Sequence, residues 1–181
     1  MEEKENRRVT ITKRMLKDAL IEMLRYTDIH HVSIRDLCKR ADVNRSTFYK
    51  HYTSQFDLLS DMEKDLLTFL SQTITEHEAQ PIKIMEKVCI YLENNLEFGR
   101  LIINNNIDPA FPQRLFSLAE VRGATINKNA INMNETMMEY LYNYINYGSY
   151  KVLCDWLNKE QREPPETIAR FLVDLIQHGS P

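Results

Sequence analysis

From Asn44 to Tyr52 the chain reads Asn-Arg-Ser-Thr-Phe-Tyr-Lys-His-Tyr, a run of hydrogen-bonding side chains in which Phe48 and Tyr52 form an apolar pair four positions apart. Residues at that spacing share one side of a helix. If Phe48 and Tyr52 turn inward, Arg45, Ser46, Thr47, Tyr49, Lys50 and His51 all turn outward. The chemistry of that outward set is recognition of a nucleic-acid groove: Arg, Ser and Thr can bond base edges, while Tyr, Lys and His can bond phosphates. A short polar helix behind a supporting helix and a three-residue turn is what a helix-turn-helix requires. A helical hairpin with a solvated polar face fits the same residues, and the pattern alone leaves both readings open.

The elements that must position this run lie on either side of it. Ser33-Ile34-Arg35-Asp36 opens the supporting helix, with Ser33 as cap and Asp36 reaching back, and Ile34, Leu37, Cys38 and Ala41 then face one way. Asp42-Val43-Asn44 reads as the turn, and Asn44 as the cap of the next helix. An earlier helix is predicted from Thr10 or Thr12 to about Tyr26, carrying Met15, Leu16, Ala19, Leu20, Met23 and Leu24. A fourth starts at Ser54, has Asp57 three positions on, and runs through Phe56, Leu59, Met62, Leu66, Phe69 and Leu70. The polar run Gln72 to Gln80 and then Pro81, suited to a first helical turn, divide the chain into residues 1–71 and 72–181.

In the second part Ile84, Val88, Cys89, Leu92 and Leu96 trace one helix, which Phe98 to Ile103 continue or restart. Asn104-Asn105-Asn106, Asp108-Pro109 and Pro112 read as a loop, and Leu115 to Val121 as a helix ended by Gly123. Asn127 to Asn134 is too polar to assign. From a cap at Asn132 a helix of about 25 residues runs to Leu157, and its wide stripe of Met137, Leu141, Tyr144, Ile145, Gly148, Val152 and Trp156 predicts burial from two directions. After the break at Gln161 to Pro165, Ile168, Phe171, Leu172, Leu175 and Ile176 mark a final helix from Pro164 or Pro165. With only 4 Gly and 6 Pro, and without alternating β-branched runs, the chain is predicted to be all-α.

The net charge of −3 hides an asymmetry. Residues 1–53 hold 12 Lys and Arg against 8 Asp and Glu, a net of +4, and residues 54–181 hold 11 against 18, a net of −7. A basic head on an acidic body suits a nucleic-acid binder with a separate second module. No run approaches the roughly 20 apolar residues of a membrane span, and Met1 to Arg8 is charged where a secretory leader would be apolar, so a cytoplasmic protein is expected. Cys38, Cys89 and Cys154 are far apart in apolar patterns, which argues for buried thiols over a disulfide framework or a zinc site. Only Cys38, beside Lys39 and Arg40, sits where a redox-sensing thiolate is conceivable. The sequence shows no Gly-rich phosphate loop, nucleophile elbow or metal-ligand spacing: His30 and His31 diverge by about 100° on a helix. Neither an enzyme nor a resident cofactor is expected.

The run from Thr10 to Leu59, above all Ser33 to Cys38, Ala41 to Tyr52 and Phe56-Asp57-Leu58-Leu59, resembles the DNA-binding domain of the tetracycline-repressor (TetR/AcrR) family. That resemblance implies a bacterial transcription regulator, associated with the nucleoid when DNA-bound, whose N-terminal three-helix helix-turn-helix domain precedes a helical ligand-binding and dimerisation domain. By the same resemblance Tyr49 and His51 would contact phosphates, and Arg45, Ser46 and Thr47 would approach base edges. Ser33 would hold a phosphate at a helix N-terminus. Arg7 and Arg8 would form an arm against the DNA backbone or minor groove, and Asn44, Lys50, Ser54 and Gln55 complete the DNA-binding set. Two positions depart from the family pattern. Asp42 stands where the turn usually carries Gly, and Gln55 near a customary phosphate-binding Lys, which makes one contact neutral and lessens salt dependence.

The partners this implies are a palindromic double-stranded DNA operator, a second copy joined through the last two helices, and a small apolar or aromatic effector, with no membrane. Tyr147-Gly148-Ser149-Tyr150 to Trp156-Leu157 resembles a dimerisation region, with internal packing as the alternative. Phe98, Phe111, Phe116, Tyr140, Tyr144 and Tyr147 fit either a cavity lining or plain core. The function expected is a repressor released from its operator by a small molecule. A co-activator controlled by a protein partner and a DNA-bridging structural protein are the alternatives.

Overall fold

The computed structural model describes residues 2–77, 80–103, 111–116 and 134–178, and among these every regular element is a helix. The chain divides into two compact units, Met1–Leu66 and Leu67–Pro181.

In the first unit α1 spans Glu2–Leu24, α2 Ile34–Arg40, α3 Arg45–Phe48 and α4 Gln55–Glu76, the last running on into the second unit, and a 3-10 turn at Ile29–His31 leads into α2. α1 begins well before the expected Thr10 or Thr12. The Thr10 hydroxyl donates to the Asn6 carbonyl at 2.9 Å, the back-bond of a residue inside a helix, and so does not cap one. Leu16, Ala19 and Leu20 of α1 are buried, as are Leu37 and Cys38 of α2 and Leu58, Leu59, Met62 and Leu66 of α4. The Arg40 guanidinium pairs with Glu22, joining the end of α2 to α1.

The second unit holds the end of α4, then α5 Pro81–Asn94, α6 Leu96–Ile103, α7 Phe111–Phe116, α8 Glu135–Asn158 and α9 Pro165–His178. Pro81 and Pro165 occupy first-turn positions, where the missing N–H costs nothing. Asn95 separates α5 from α6, its side-chain amide donating to the Tyr91 carbonyl at 2.8 Å, so the Phe98 segment restarts the helix. α8 is capped by Asn134, whose side chain accepts the Met137 N–H at 2.9 Å, and the expected cap Asn132 lies outside the described residues. The loop expected from Asn104 to Pro112 ends sooner, since Pro112 lies in the first turn of α7, where its missing N–H costs nothing, and the helix expected from Leu115 begins instead at Phe111; residues 104–110 and those from 117 through Gly123 lie outside the described residues.

α9 packs on α5, and α6 on α8. Their core gathers Cys89 and Leu92 of α5, Tyr150, Cys154, Trp156 and Leu157 of α8, and Ile168, Ala169 and Leu172 of α9. The Trp156 indole N–H donates to the Glu163 carbonyl at 2.9 Å, and Arg100 Nε donates to the Leu157 carbonyl at 2.7 Å, satisfying one open carbonyl at the end of α8. The two-sided burial expected of α8 is found only near its C-terminal end: Met137, Tyr140, Tyr144 and Tyr147 are exposed on the single chain. The aromatic set therefore divides, Phe98 and Phe111 being buried and the three tyrosines exposed, while the Phe116 side chain lies outside the description.

Candidate nucleic-acid interface

The site grows from the two ends of α2. At its start Ser33 Oγ accepts the Asp36 N–H at 3.1 Å and donates to the Asp36 carboxylate at 2.6 Å, so Asp36 meets the hydroxyl and not the expected backbone N–H. At its end Val43 N–H bonds the Cys38 carbonyl at 2.9 Å across Asp42, whose φ of 51° is left-handed. This is the helix stop for which glycine is preferred, and Asp supports it because a short polar side chain tolerates that conformation.

The turn delivers the chain into α3, a single turn of helix. Thr47 and Phe48 N–H groups bond the Asn44 carbonyl at 2.9 and 3.0 Å, but the Asn44 side chain makes no capping bond, contrary to expectation. Its amide stays at the surface, because the backbone carbonyl alone satisfies the first turn. Helical bonding tightens after Phe48, with Lys50 N–H on the Thr47 carbonyl at 3.2 Å and His51 and Tyr52 N–H both on the Phe48 carbonyl at 2.9 Å. Tyr52 thus lies just past the helix, not on it.

Burial sorts these side chains as their chemistry requires. Phe48 is 0 % and Tyr52 3 % exposed, with ring centres 5.8 Å apart, whereas Tyr49 is 52 % exposed. Ser33, Asn44, Arg45, Ser46 and Lys50 are also exposed, and Thr47, His51, Ser54 and Gln55 are half-buried. Ser54 Oγ accepts the Asp57 N–H at 3.2 Å and caps α4, and the Asp57 carboxylate reaches back to the Thr53 N–H at 2.8 Å. Gln55 turns its amide inward to the Ile29 carbonyl at 3.4 Å. Arg7 and Arg8 are exposed but helical within α1, so they do not form an extended arm.

The cysteines are all buried. Burial pushes the Cys38 thiol up even against the nearby Arg45 charge, and it drives Cys89 to about 12 and Cys154 to about 11. Each is held as the unreactive thiol. No cluster of His, Cys, Asp or Glu suited to a metal ion occurs among the described residues.

The sequence reading missed the polar network behind the recognition segment. The Tyr52 hydroxyl donates to Asp61 Oδ2 at 2.8 Å, and Lys17 Nζ of α1 meets the same oxygen at 2.8 Å and Asp65 at 2.6 Å. Burial opposes charge on both Lys17 and Asp61, but their mutual bonds outweigh it, so Lys17 stays protonated above its ordinary range and Asp61 ionised below its own. Burial and the neighbouring carboxylates raise Tyr52. The signal was present: Lys13 and Lys17 on α1, and Asp61 and Asp65 on α4, are matching i,i+4 pairs of opposite sign.

A supporting helix, a tight turn and a short helix with an outward polar side make up a helix-turn-helix, the recognition unit of DNA-binding regulators. Comparison with known proteins agrees: residues 17–62 match "Bacterial regulatory proteins, tetR family" and residues 79–178 match "Transcriptional regulator C-terminal region". The chain belongs to the TetR family of DNA-binding transcriptional regulators. It is similar to YxbF of Bacillus subtilis (strain 168), an uncharacterized HTH-type transcriptional regulator, at 21 % identity in an alignment of 169 residues that covers 89 % of this chain and 43 % of that protein. The chain therefore spans less than half the length of that relative. Among solved structures, a TetR transcriptional regulator from Streptococcus agalactiae 2603V superimposes with a TM-score of 0.66 at 22 % identity, covering 97 % of this chain and 99 % of that one. The dihydroxyacetone kinase operon activator DhaS does so at 0.63 and 17 % identity, covering 92 % and 94 %. Both share the fold. Among the described residues no helix is long and apolar enough to cross a membrane.

Proposed function

We propose that the protein is a repressor that acts as a homodimer, binds a palindromic operator, and is released by a small apolar or aromatic effector. In this reading residues 1–71 form the DNA-binding domain with its connecting helix, and residues 72–181 the regulatory and dimerisation domain. Arg45, Ser46, Thr47 and Asn44 approach base edges. Tyr49, Lys50, His51 and Ser33 hold phosphates, and Arg7, Arg8, Ser54 and Gln55 lie at the margins of the contact. The observation that carries the reading is the sorting around α3, where Phe48 and Tyr52 are buried while Arg45, Ser46, Tyr49 and Lys50 are exposed.

The dimer reading draws support from α8 and α9. Met137, Tyr140, Tyr144 and Tyr147 stand exposed on α8 and Phe171 on α9, and among the described residues nothing lies within 4 Å of a methyl group added at Gly148. Glycine in a helix interior costs about 1 kcal/mol, which close approach of a second helix would offset.

The experiment is a pair of substitutions assayed on operator and random duplexes. Arg45→Ala is expected to flatten base preference, and Tyr49→Phe to weaken binding to all duplexes alike. Equal loss of discrimination in the two variants contradicts these roles. Release of the operator by hydrophobic small molecules supports the effector assignment, and release only by a protein partner overturns it.

A further inference from the structure

The side chains assigned to the DNA groove have little local support of their own. α3 is a single turn, too short to hold its shape unaided. Residues 49–51 leave it through tightened turns, Tyr49 and Lys50 exposed and His51 half-buried. The fixed point beyond them is Tyr52. Its ring rests near Phe48, Lys13 Nζ lies 5.3 Å from the ring centre, and its hydroxyl ends on Asp61. Lys17 grips Asp61 and, one helical turn along α4, Asp65, while Lys13 adds a weaker contact to Asp61 at 3.7 Å. One chain of charge-assisted bonds thus runs from α1 through α4 to the end of the recognition segment. Ring packing resists withdrawal of Tyr52 but not tilting. A hydrogen bond to an ionised oxygen fixes direction as well.

We infer that Tyr52, buried and out of reach of any duplex, is a positioning residue for DNA recognition: Asp61, held by Lys17, fixes the Tyr52 hydroxyl and with it the direction in which Tyr49, Lys50 and His51 leave α3. The inference rests on the DNA-binding reading. It matters because recognition groups must be held to within about 0.5 Å by the residues behind them.

The test uses the full chain carrying Tyr52→Phe, Asp61→Asn or both, well below the unfolding midpoint. Amide hydrogen exchange is followed at residues 49–52, and affinity is measured for a selected operator and for a random duplex of equal length. Losing one hydrogen bond to a charged group is expected to raise exchange at Lys50 and His51 and to lower operator affinity, each about tenfold. Because Tyr49, Lys50 and His51 are assigned to phosphates, binding to the random duplex should fall by a similar factor, exchange in α5 and α9 should stay as in the wild type, and the double variant should do no worse than the poorer single one. A residue that only stabilises the fold would move the unfolding midpoint and leave both the local exchange and the duplex affinity, measured well below that midpoint, at wild-type values. Either quantity left unchanged in Tyr52→Phe overturns the inference. Failure of the wild-type chain to prefer any duplex would instead defeat the DNA-binding reading, and the exchange comparison, which needs no DNA, would still decide whether Tyr52 holds the segment.

Discussion

Replacing Phe48 by alanine probes how far the first unit depends on the anchor of its recognition segment. The ring is wholly buried and lies 5.4 and 5.8 Å, centre to centre, from the rings of Tyr49 and Tyr52. Truncating a core Phe to Ala costs about 3–5 kcal/mol, made up of the lost transfer of the ring and the cavity left behind. Because α3 is one turn long and able to settle into the gap, the lower part of that range, about 3 kcal/mol, is the expected cost. At about 0.05–0.15 kcal/mol per residue, a unit of 66 residues has roughly 3–10 kcal/mol to lose. Phe48→Ala should therefore leave the first unit marginal or unfolded. The assay is urea unfolding read by two probes: far-ultraviolet circular dichroism for total helix, and the fluorescence of Trp156, the one tryptophan of the chain, set in the core of the second unit. The helical signal should lose an early portion while the Trp156 transition keeps its midpoint, and operator binding should vanish. A loss below about 1 kcal/mol in the first unit would refute the claim that Phe48 anchors it, since so small a cost belongs to surface positions.

Three further outcomes follow from the geometry. Asp42→Gly should raise the unfolding free energy of the first unit in urea by about 0.5–1 kcal/mol, since glycine adopts a φ of 51° freely, and Asp42→Ala should lower it. The stability of the first unit should be level through neutral pH and fall at both ends. Asp61, held below its ordinary 3.8, contributes stability that is present above that value and lost as pH falls through the lower folded-state pKa, whereas Lys17, raised above 10.5, and Tyr52, raised above 10.0, contribute stability that is present below those values and lost as pH rises past them. Urea midpoints across the pH range check this, and Lys17→Met should remove much of the acid-side fall due to Asp61. Gly148→Ala should stabilise the second unit by about 1 kcal/mol yet shift dimer dissociation to higher concentration in sedimentation, and an unchanged dimer would count against close approach of a second copy there.

What could be read in the sequence was what local chemistry specifies. Ser33, Ser54, Pro81 and Pro165 mark helix starts because capping and first-turn preferences act within four residues, and the Phe48 and Tyr52 spacing told inside from outside in the same way. The errors arose where two local solutions are nearly equivalent. Thr10 serves a helix interior by bonding back to Asn6 as well as it would serve a cap, and Asn44 leaves capping to its backbone. The bond from Tyr52 to Asp61 and the grip of Lys17 on Asp65, 48 positions away, belong to pairings that no local pattern encodes, although the matching charge spacing pointed to them. The tyrosines of α8 show another limit: helical periodicity marks an apolar stripe without saying whether it meets its own chain or another.

Selection of bound duplexes from a random pool, sequenced and compared between the wild-type chain and Arg45→Ala, tests the central claim most directly. The expected result is enrichment of an inverted repeat whose half-site centres lie about 34–36 Å apart or at a multiple of it, with the base preference lost in the variant. A pool that emerges unenriched, or the same repeat recovered with Arg45→Ala, would contradict the assignment of the outward side of α3 to DNA.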